Sequence, residues 1–354
     1  MNNPITALAG TSTRDRGLTA LWSAGALGLV AYLTAAGPGL GFLADSMAAG
    51  QVLSPYDPYA ADPHRGGAQY PPYLYQALAS VAFSDVAALL SRLLNLTAPL
   101  LLVWSLRGPR EAGFLLTLTP QSVAAIHDNS LQWAPVLGFA GLAWATRQRA
   151  LPWAGVVAGA GIALALGKLD QLVLTPAVLG VRDRRTTLLA AAVTAALLAA
   201  SFLVYGVWLS TWFDYLLLRE WTRIGWDSLL VTLQRFGLPE NGILLVQAAV
   251  LLDSLRYVWR WRAHADPRLS WVVTLAAANI VATHSGVIDS LPLLTVTVCL
   301  LPLRWSLVLA ALGWTYVVSA ALMTGQLVAS FYGVVPVICV VLSVLAVRKT
   351  GVKL

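Results

Sequence analysis

Charge is what this 354-residue chain has least of: only 11% of its residues are Asp, Glu, Lys or Arg, against about 25% in ordinary soluble domains. Hydrophobic residues fill 58% of the sequence, and the mean hydropathy is +0.71. A chain of this composition cannot cover itself with water-facing side chains, which argues against an ordinary soluble enzyme or binding module. Cysteine is nearly absent too. The two that occur, Cys299 and Cys339, lie inside apolar runs and read as small core residues, not as a disulfide or a metal site. The sequence has no Walker loop, no His/Cys metal spacing and no nucleophile elbow. It shows no separate soluble domain, low-complexity tract or clear internal repeat.

What it has is a succession of apolar runs. A helix needs roughly 20 residues to cross the hydrocarbon of a bilayer, so about twelve crossings fit. The expected fold is an all-α polytopic membrane domain occupying 1–354. The runs fall at 18–36, 86–106, 112–126, 131–145, 153–166, 172–181, 188–207, 243–257, 271–282, 291–303, 306–322 and 327–347. Arg14 and Arg16 ahead of the first run also suit a signal peptide. The length of that run, and the function-like segment directly after it, favour an uncleaved first helix.

A net charge of +7 raises the question of a nucleic-acid partner, and position answers it. With the N-terminus inside and the runs alternating, only Arg65, Arg92, Lys168, Arg219, Arg223 and Arg235 fall outside or within the membrane. The other seventeen of the 23 Lys and Arg cluster on the inner side, as the positive-inside rule demands. Both termini are therefore expected in the cytoplasm. Two long polar and aromatic segments, 37–85 and 208–241, are expected on the outer face, where most of the Asp and Glu also collect.

The segment from Asp45 to Tyr59, AspSerMetAlaAlaGlyGlnValLeuSerProTyrAspProTyr, is the most informative. A carboxylate held at the membrane surface sits in a poor dielectric, which favours its neutral form and suits a general base. A solvated loop aspartate is the plainer alternative. TyrProProTyr follows at Tyr70–Tyr73, and proline in a first helical turn loses no hydrogen bond. A short helix is expected over 73–83, with Tyr73 and Tyr75 as headgroup anchors.

Lys168 ends one short run and precedes another. An ammonium at membrane depth is costly and marks a functional site by default; pairing with Asp170 or snorkelling to headgroups are the alternatives. Broken crossings of this kind line cavities. His284 and Asp289 lie at the outer ends of two crossings, either as interfacial residues or as substrate ligands. Arg219 and Arg223, spaced i,i+4, share a helix face and suit either lipid headgroups or a phosphate clamp.

Taken together, Asp45, a Gly five residues on, the ProTyr after it and the TyrProPro that closes the loop resemble the first outer loop of polyprenyl-phosphate-dependent glycosyltransferases of the C superfamily. The match is to glycosyltransferase family 87, which includes mycobacterial mannosyltransferases of phosphatidylinositol mannoside synthesis. GlyIleAlaLeuAlaLeuGlyLysLeuAspGln at Gly161–Gln171 resembles that family's small-residue helix ending in Lys, although Pro176 comes late. ThrHisSerGlyValIleAsp at Thr283–Asp289 resembles its polar turn. His127–Asp128–Asn129–Ser130 stands where a GlyGln-like turn is usual.

The resemblance implies an inverting hexosyltransferase on the extracytoplasmic side of the plasma membrane, moving mannose from a polyprenyl-phosphate donor to a lipid or glycan hydroxyl. Asp45 would be the base, and Lys168, Arg219 and Arg223 would hold the donor phosphate. Tyr59, Tyr70, His127, Asp128, His284 and Asp289 would contact substrates. No cofactor is implied, and a divalent metal is left open. A transporter or flippase of a lipid-linked or anionic substrate is the alternative. It would place ionisable residues along the middle of several crossings and usually show a repeat.

Overall fold

The structure, a computed structural model, describes residues 20, 23–28, 30–31, 71–74, 85–127, 130–172, 174–180, 183–210, 233, 237–260, 267–282, 287–322 and 335–349. Among them the regular elements are all helical, with no strand. The long ones are α1 (Asp85–Ser105), α4 (Trp133–Arg147), α5 (Ala154–Ala165), α8 (Arg184–Tyr205), α9 (Glu240–Arg260), α10 (Arg268–Val281), α12 (Leu303–Leu322) and α13 (Val335–Lys349). Between them lie short pieces: α2 (Arg110–Thr117), α3 (Pro120–His127), α6 (Leu169–Leu172), α7 (Thr175–Gly180) and α11 (Leu291–Val298). Two 3-10 turns, Leu166–Lys168 and Val287–Ser290, lead into α6 and α11.

The short pieces correct the hydropathy reading. The run 112–126 is not one helix but α2 and α3, which meet at Thr119 and Pro120. Thr119 turns its hydroxyl back to the Leu116 carbonyl, and Pro120 opens the next helix, where its missing N–H costs nothing. The described part of the run 172–181 is likewise divided, between the last residue of α6 and the six residues of α7. Hydropathy averages across such breaks because the flanking residues stay apolar.

The core is continuous. Leu102, Leu116, Phe139, Leu142, Trp271, Leu275 and Leu293 are buried in one cluster that joins α1, α2, α4, α10 and α11. Cys299 and Cys339 are both buried in the same cluster, the core placement that their apolar surroundings in the sequence suggest.

Small residues set the closest helix contacts. A Cβ on Gly138 of α4 would lie 2.4 Å from the Gly161 carbonyl oxygen of α5, and one on Gly161 would lie 2.6 Å from the Gly138 carbonyl oxygen. On its other side α5 meets α8: a Cβ on Gly159 would lie 2.7 Å from the Ala190 carbonyl oxygen, and Thr194 donates to the Gly159 carbonyl at 3.1 Å. Backbones this close need glycine and are a usual means of holding apolar helices together. Gly161→Val should therefore force α4 and α5 apart at a cost of about 1–3 kcal/mol or more. Thermal unfolding in detergent should show a clear drop in midpoint for Gly161→Val. It should show no change for Gly25→Ala, whose added Cβ meets nothing within 4 Å.

The outward surfaces are apolar. Two helices, Arg184–Tyr205 and Asn241–Arg260, are long and apolar enough to cross a membrane. Both leave most of their large side chains uncovered, with Leu203 90% and Leu245 71% exposed. At one end of the bundle, arginines cap helix C-termini, where carbonyls lack partners. Arg147 donates to the carbonyls of Trp104 and Ser105 at 3.0 and 2.8 Å, and Arg268 donates to that of Cys299 at 2.8 Å. Asp183 caps the N-terminus of α8, accepting from the Arg185 N–H at 3.1 Å and from the Thr186 hydroxyl. Those hydrogen bonds, the Thr186 hydroxyl foremost, hold its carboxyl below the usual range.

Candidate functional site

The opposite end of the bundle gathers buried polar side chains. Its centre is the break after α5. There the helix tightens from α to 3-10, which frees carbonyls of the last turn and delivers Lys168 to the interior. Lys168 Nζ meets Asp289 Oδ1 at 2.7 Å, with the two side chains 12% and 7% exposed. Asp289 comes from the 3-10 turn before α11, so the ion pair ties two helix breaks together. Three residues after Lys168, the fully buried Gln171 donates from Nε2 to the Asp289 backbone carbonyl at 2.6 Å, leaving its Oε1 without a partner. The Asp289 turn also packs on α3, whose last residue is His127.

Residues 71–74 pack beside this break. Pro71 and Pro72 are buried. Tyr73 donates its hydroxyl to the Ala163 carbonyl of α5 and sets its ring edge-on to Trp208, with centroids 5.9 Å apart. Trp208 in turn meets Phe202 at 5.6 Å and donates to the Ser201 hydroxyl at 3.0 Å. Tyr73 is therefore a tertiary clasp between residues 71–74 and α5, a stronger role than the headgroup anchor expected of it. Burial pushes its phenol well above the usual range.

A second group of polar side chains lies on α1 and on the turn into α4. Asn95 donates from Nδ2 to the Ser130 carbonyl at 2.7 Å, and the Ser91 hydroxyl reaches the same oxygen at 3.4 Å. The Gln132 N–H donates to the Ser130 hydroxyl at 3.3 Å. Arg92, Asn95 and Gln132 are all buried. The sequence reading gave Gln171, Asn95 and Gln132 no site role of their own, Gln171 entering only as the end of the Gly161–Gln171 stretch, and counted Arg92 only among the cations outside or within the membrane. The available signal was the spacing of Ser91, Arg92 and Asn95 on one side of an otherwise apolar helix.

Of the expected site residues, the structure brings Lys168 and Asp289 into contact. It places His127 at the end of α3, exposed to solvent. Asp45, Tyr59, Tyr70, Asp128, Arg219, Arg223 and His284 lie outside the described residues. Among the described residues, no three His, Cys, Asp or Glu side chains converge as a metal site.

What the arrangement offers chemically, toward one end of an apolar bundle, is a buried cation–carboxylate pair and buried amide atoms with spare hydrogen-bonding capacity. Preset dipoles and charges of this kind act strongly where water is excluded. No family model, no curated protein and no solved structure matches this chain.

Proposed function

We propose that this protein crosses the membrane about twelve times and transfers a sugar, mannose in the first instance, from a polyprenyl phosphate to a lipid or glycan hydroxyl on the outer face. The observation that carries the reading is the buried Lys168–Asp289 pair, set at a helix break and flanked by buried amides. It lies at the end of the bundle opposite the arginine-capped one. The exposed apolar faces of α8 and α9 support the membrane placement.

In this reading the Asp45 carboxylate accepts the proton of the acceptor hydroxyl. The acceptor oxygen attacks the anomeric carbon from the face opposite the leaving group. The bond from that carbon to the phosphate oxygen breaks, and its electron pair leaves on the polyprenyl phosphate, so the configuration inverts. Lys168, Arg219 and Arg223 stabilise the growing phosphate charge, and Tyr59, Tyr70, His127, Asp128, His284 and Asp289 hold the substrates. A transporter would need polar groups along a path through the bundle. Among the described residues the buried charged side chains Arg92 and Asp289 both lie toward one end of the bundle, which favours the enzyme.

Two measurements test this reading. Purified protein given a panel of labelled polyprenyl-phosphate sugars and membrane lipids should transfer one sugar, with mannose first, and release polyprenyl phosphate. Absence of transfer across the panel, alongside uptake of the intact lipid-linked sugar into the opposite leaflet, would favour the transporter. For the sidedness, a cysteine placed at position 62 should react with an impermeant thiol reagent from outside the cell. Reaction from the cytoplasmic side alone would invert the topology.

A further inference from the structure

Lys168 is ion-paired with Asp289. A second cation buried toward this end of the bundle is Arg92. Its side chain projects from α1 about two turns below the helix N-terminus. The residue is 3% exposed, and its Nε and Nη1 are buried with no hydrogen-bond partner. An ionised group buried without a partner is among the most expensive arrangements a protein can hold.

The residues around it are under-satisfied in the same way. Asn95, one helical turn on, has its Nδ2 engaged by Ser130 and its Oδ1 unpartnered. Gln132, fixed to the same Ser130 through its backbone, has both amide atoms buried and unpartnered. Buried polar groups in native proteins have partners as a rule. Three side chains on α1 and at the Ser130 turn that break the rule, one of them cationic, offer a set of donors and acceptors for a ligand. A guanidinium presents a planar fork of N–H donors that matches two oxygens of an oxyanion. The spare Asn95 acceptor and the donor–acceptor amide of Gln132 match neutral hydroxyls.

We infer that Arg92 is the seat of an oxyanion of a bound ligand, a phosphate ester, with Gln132 and Asn95 engaging hydroxyls of the same ligand. Naming the oxyanion as phosphate rests on the glycosyltransferase reading, in which phosphate is the leaving group. The site itself rests on the unpartnered groups.

The test uses the full chain in nanodiscs and three probes: citronellyl phosphate, the neutral alcohol citronellol, and inorganic phosphate. Citronellyl phosphate should bind Arg92→Gln about 10- to 100-fold more weakly than wild type, the loss usual for a charge-assisted hydrogen bond. Arg92→Lys should fall between them, and citronellol should bind all three alike. Ligand-free Arg92→Gln should also unfold at the same or a higher temperature than wild type, because an unpaired buried charge has gone. An arginine that merely braces the fold would behave the other way, with lower stability and unchanged phosphate affinity, and that result overturns the inference. So does equal affinity of wild type and Arg92→Lys when Arg92→Gln cannot be folded. Inorganic phosphate binding as tightly as citronellyl phosphate, with the same dependence on Arg92, makes free phosphate the source of the oxyanion and keeps the site.

A parallel sugar-transfer assay separates the two proposals. Arg92-dependent phosphate binding without transfer leaves this site standing and removes the glycosyltransferase. Transfer with donor KM unmoved in Arg92→Gln does the reverse.

Discussion

Asp45→Asn should abolish sugar transfer, by about 10²–10⁴-fold in rate, and leave folding and donor binding close to wild type. Asparagine keeps the size and most of the hydrogen-bonding shape of aspartate but cannot accept a proton at neutral pH. A surface Asp→Asn change away from special features alters stability by only about 0.5 kcal/mol, so lost turnover would report chemistry and not unfolding. The rival bases are Asp57, Asp62 and Asp289. Asp289 is already engaged: its carboxylate meets the Lys168 ammonium at 2.7 Å and its backbone carbonyl accepts from Gln171. All four should be changed to Asn and assayed side by side with labelled donor. Near wild-type turnover in Asp45→Asn, with another of the four inactive, would move the base to that residue.

The clustering of Lys and Arg between apolar runs is legible in the sequence because charge asymmetry is a global property that does not depend on any single boundary being right. What the sequence does not give is the local use of these cations: Arg147 and Arg268 donate to carbonyls at helix C-termini. Lys168 was legible as well, since a cation between two short apolar runs is conspicuous against so little charge. Its partner was not. Asp289 lies far along the chain, and nothing in the local pattern at either residue encodes the pairing; Asp170, two residues away, was the partner that sequence proximity suggested. The break between α2 and α3 was hidden for a different reason. Thr119, Pro120 and the small residues near them are compatible with an apolar run, and only the hydrogen bonds decide where the helix stops. Arg92 was visible as a charge but was counted only for topology. What gives it weight is the company of Asn95 and Gln132, one of which sits on another helix entrance. Tyr73 shows the same limit: its hydroxyl finds Ala163 only once α5 has ended in a tighter turn.

The Lys168–Asp289 pair can be separated into its structural and its binding roles by a double-mutant cycle. Either residue alone should be costly to remove. Lys168→Ala leaves a carboxylate buried without its cation, and Asp289→Leu leaves an ammonium without its anion; breaking a buried pair from one side typically costs about 3–5 kcal/mol. The double variant Lys168→Met/Asp289→Leu removes both charges and fills the space with apolar atoms. It should recover most of the lost stability, as replacements of whole buried pairs often do. Thermal unfolding of the four proteins measures this, and a double variant no more stable than the worse single would show that the two residues have other, separate structural partners. Donor binding then decides the functional part. If the ammonium also meets the donor phosphate, the refolded double variant should still bind polyprenyl-phosphate sugar poorly, because stability has been restored and the cation has not. Lys168→Arg, which keeps a cation opposite Asp289, should retain more affinity than Lys168→Ala. A double variant that is stable and binds donor like wild type would reduce the pair to a brace between two helix breaks. The work of holding the phosphate would then fall to the other cations of the outer face.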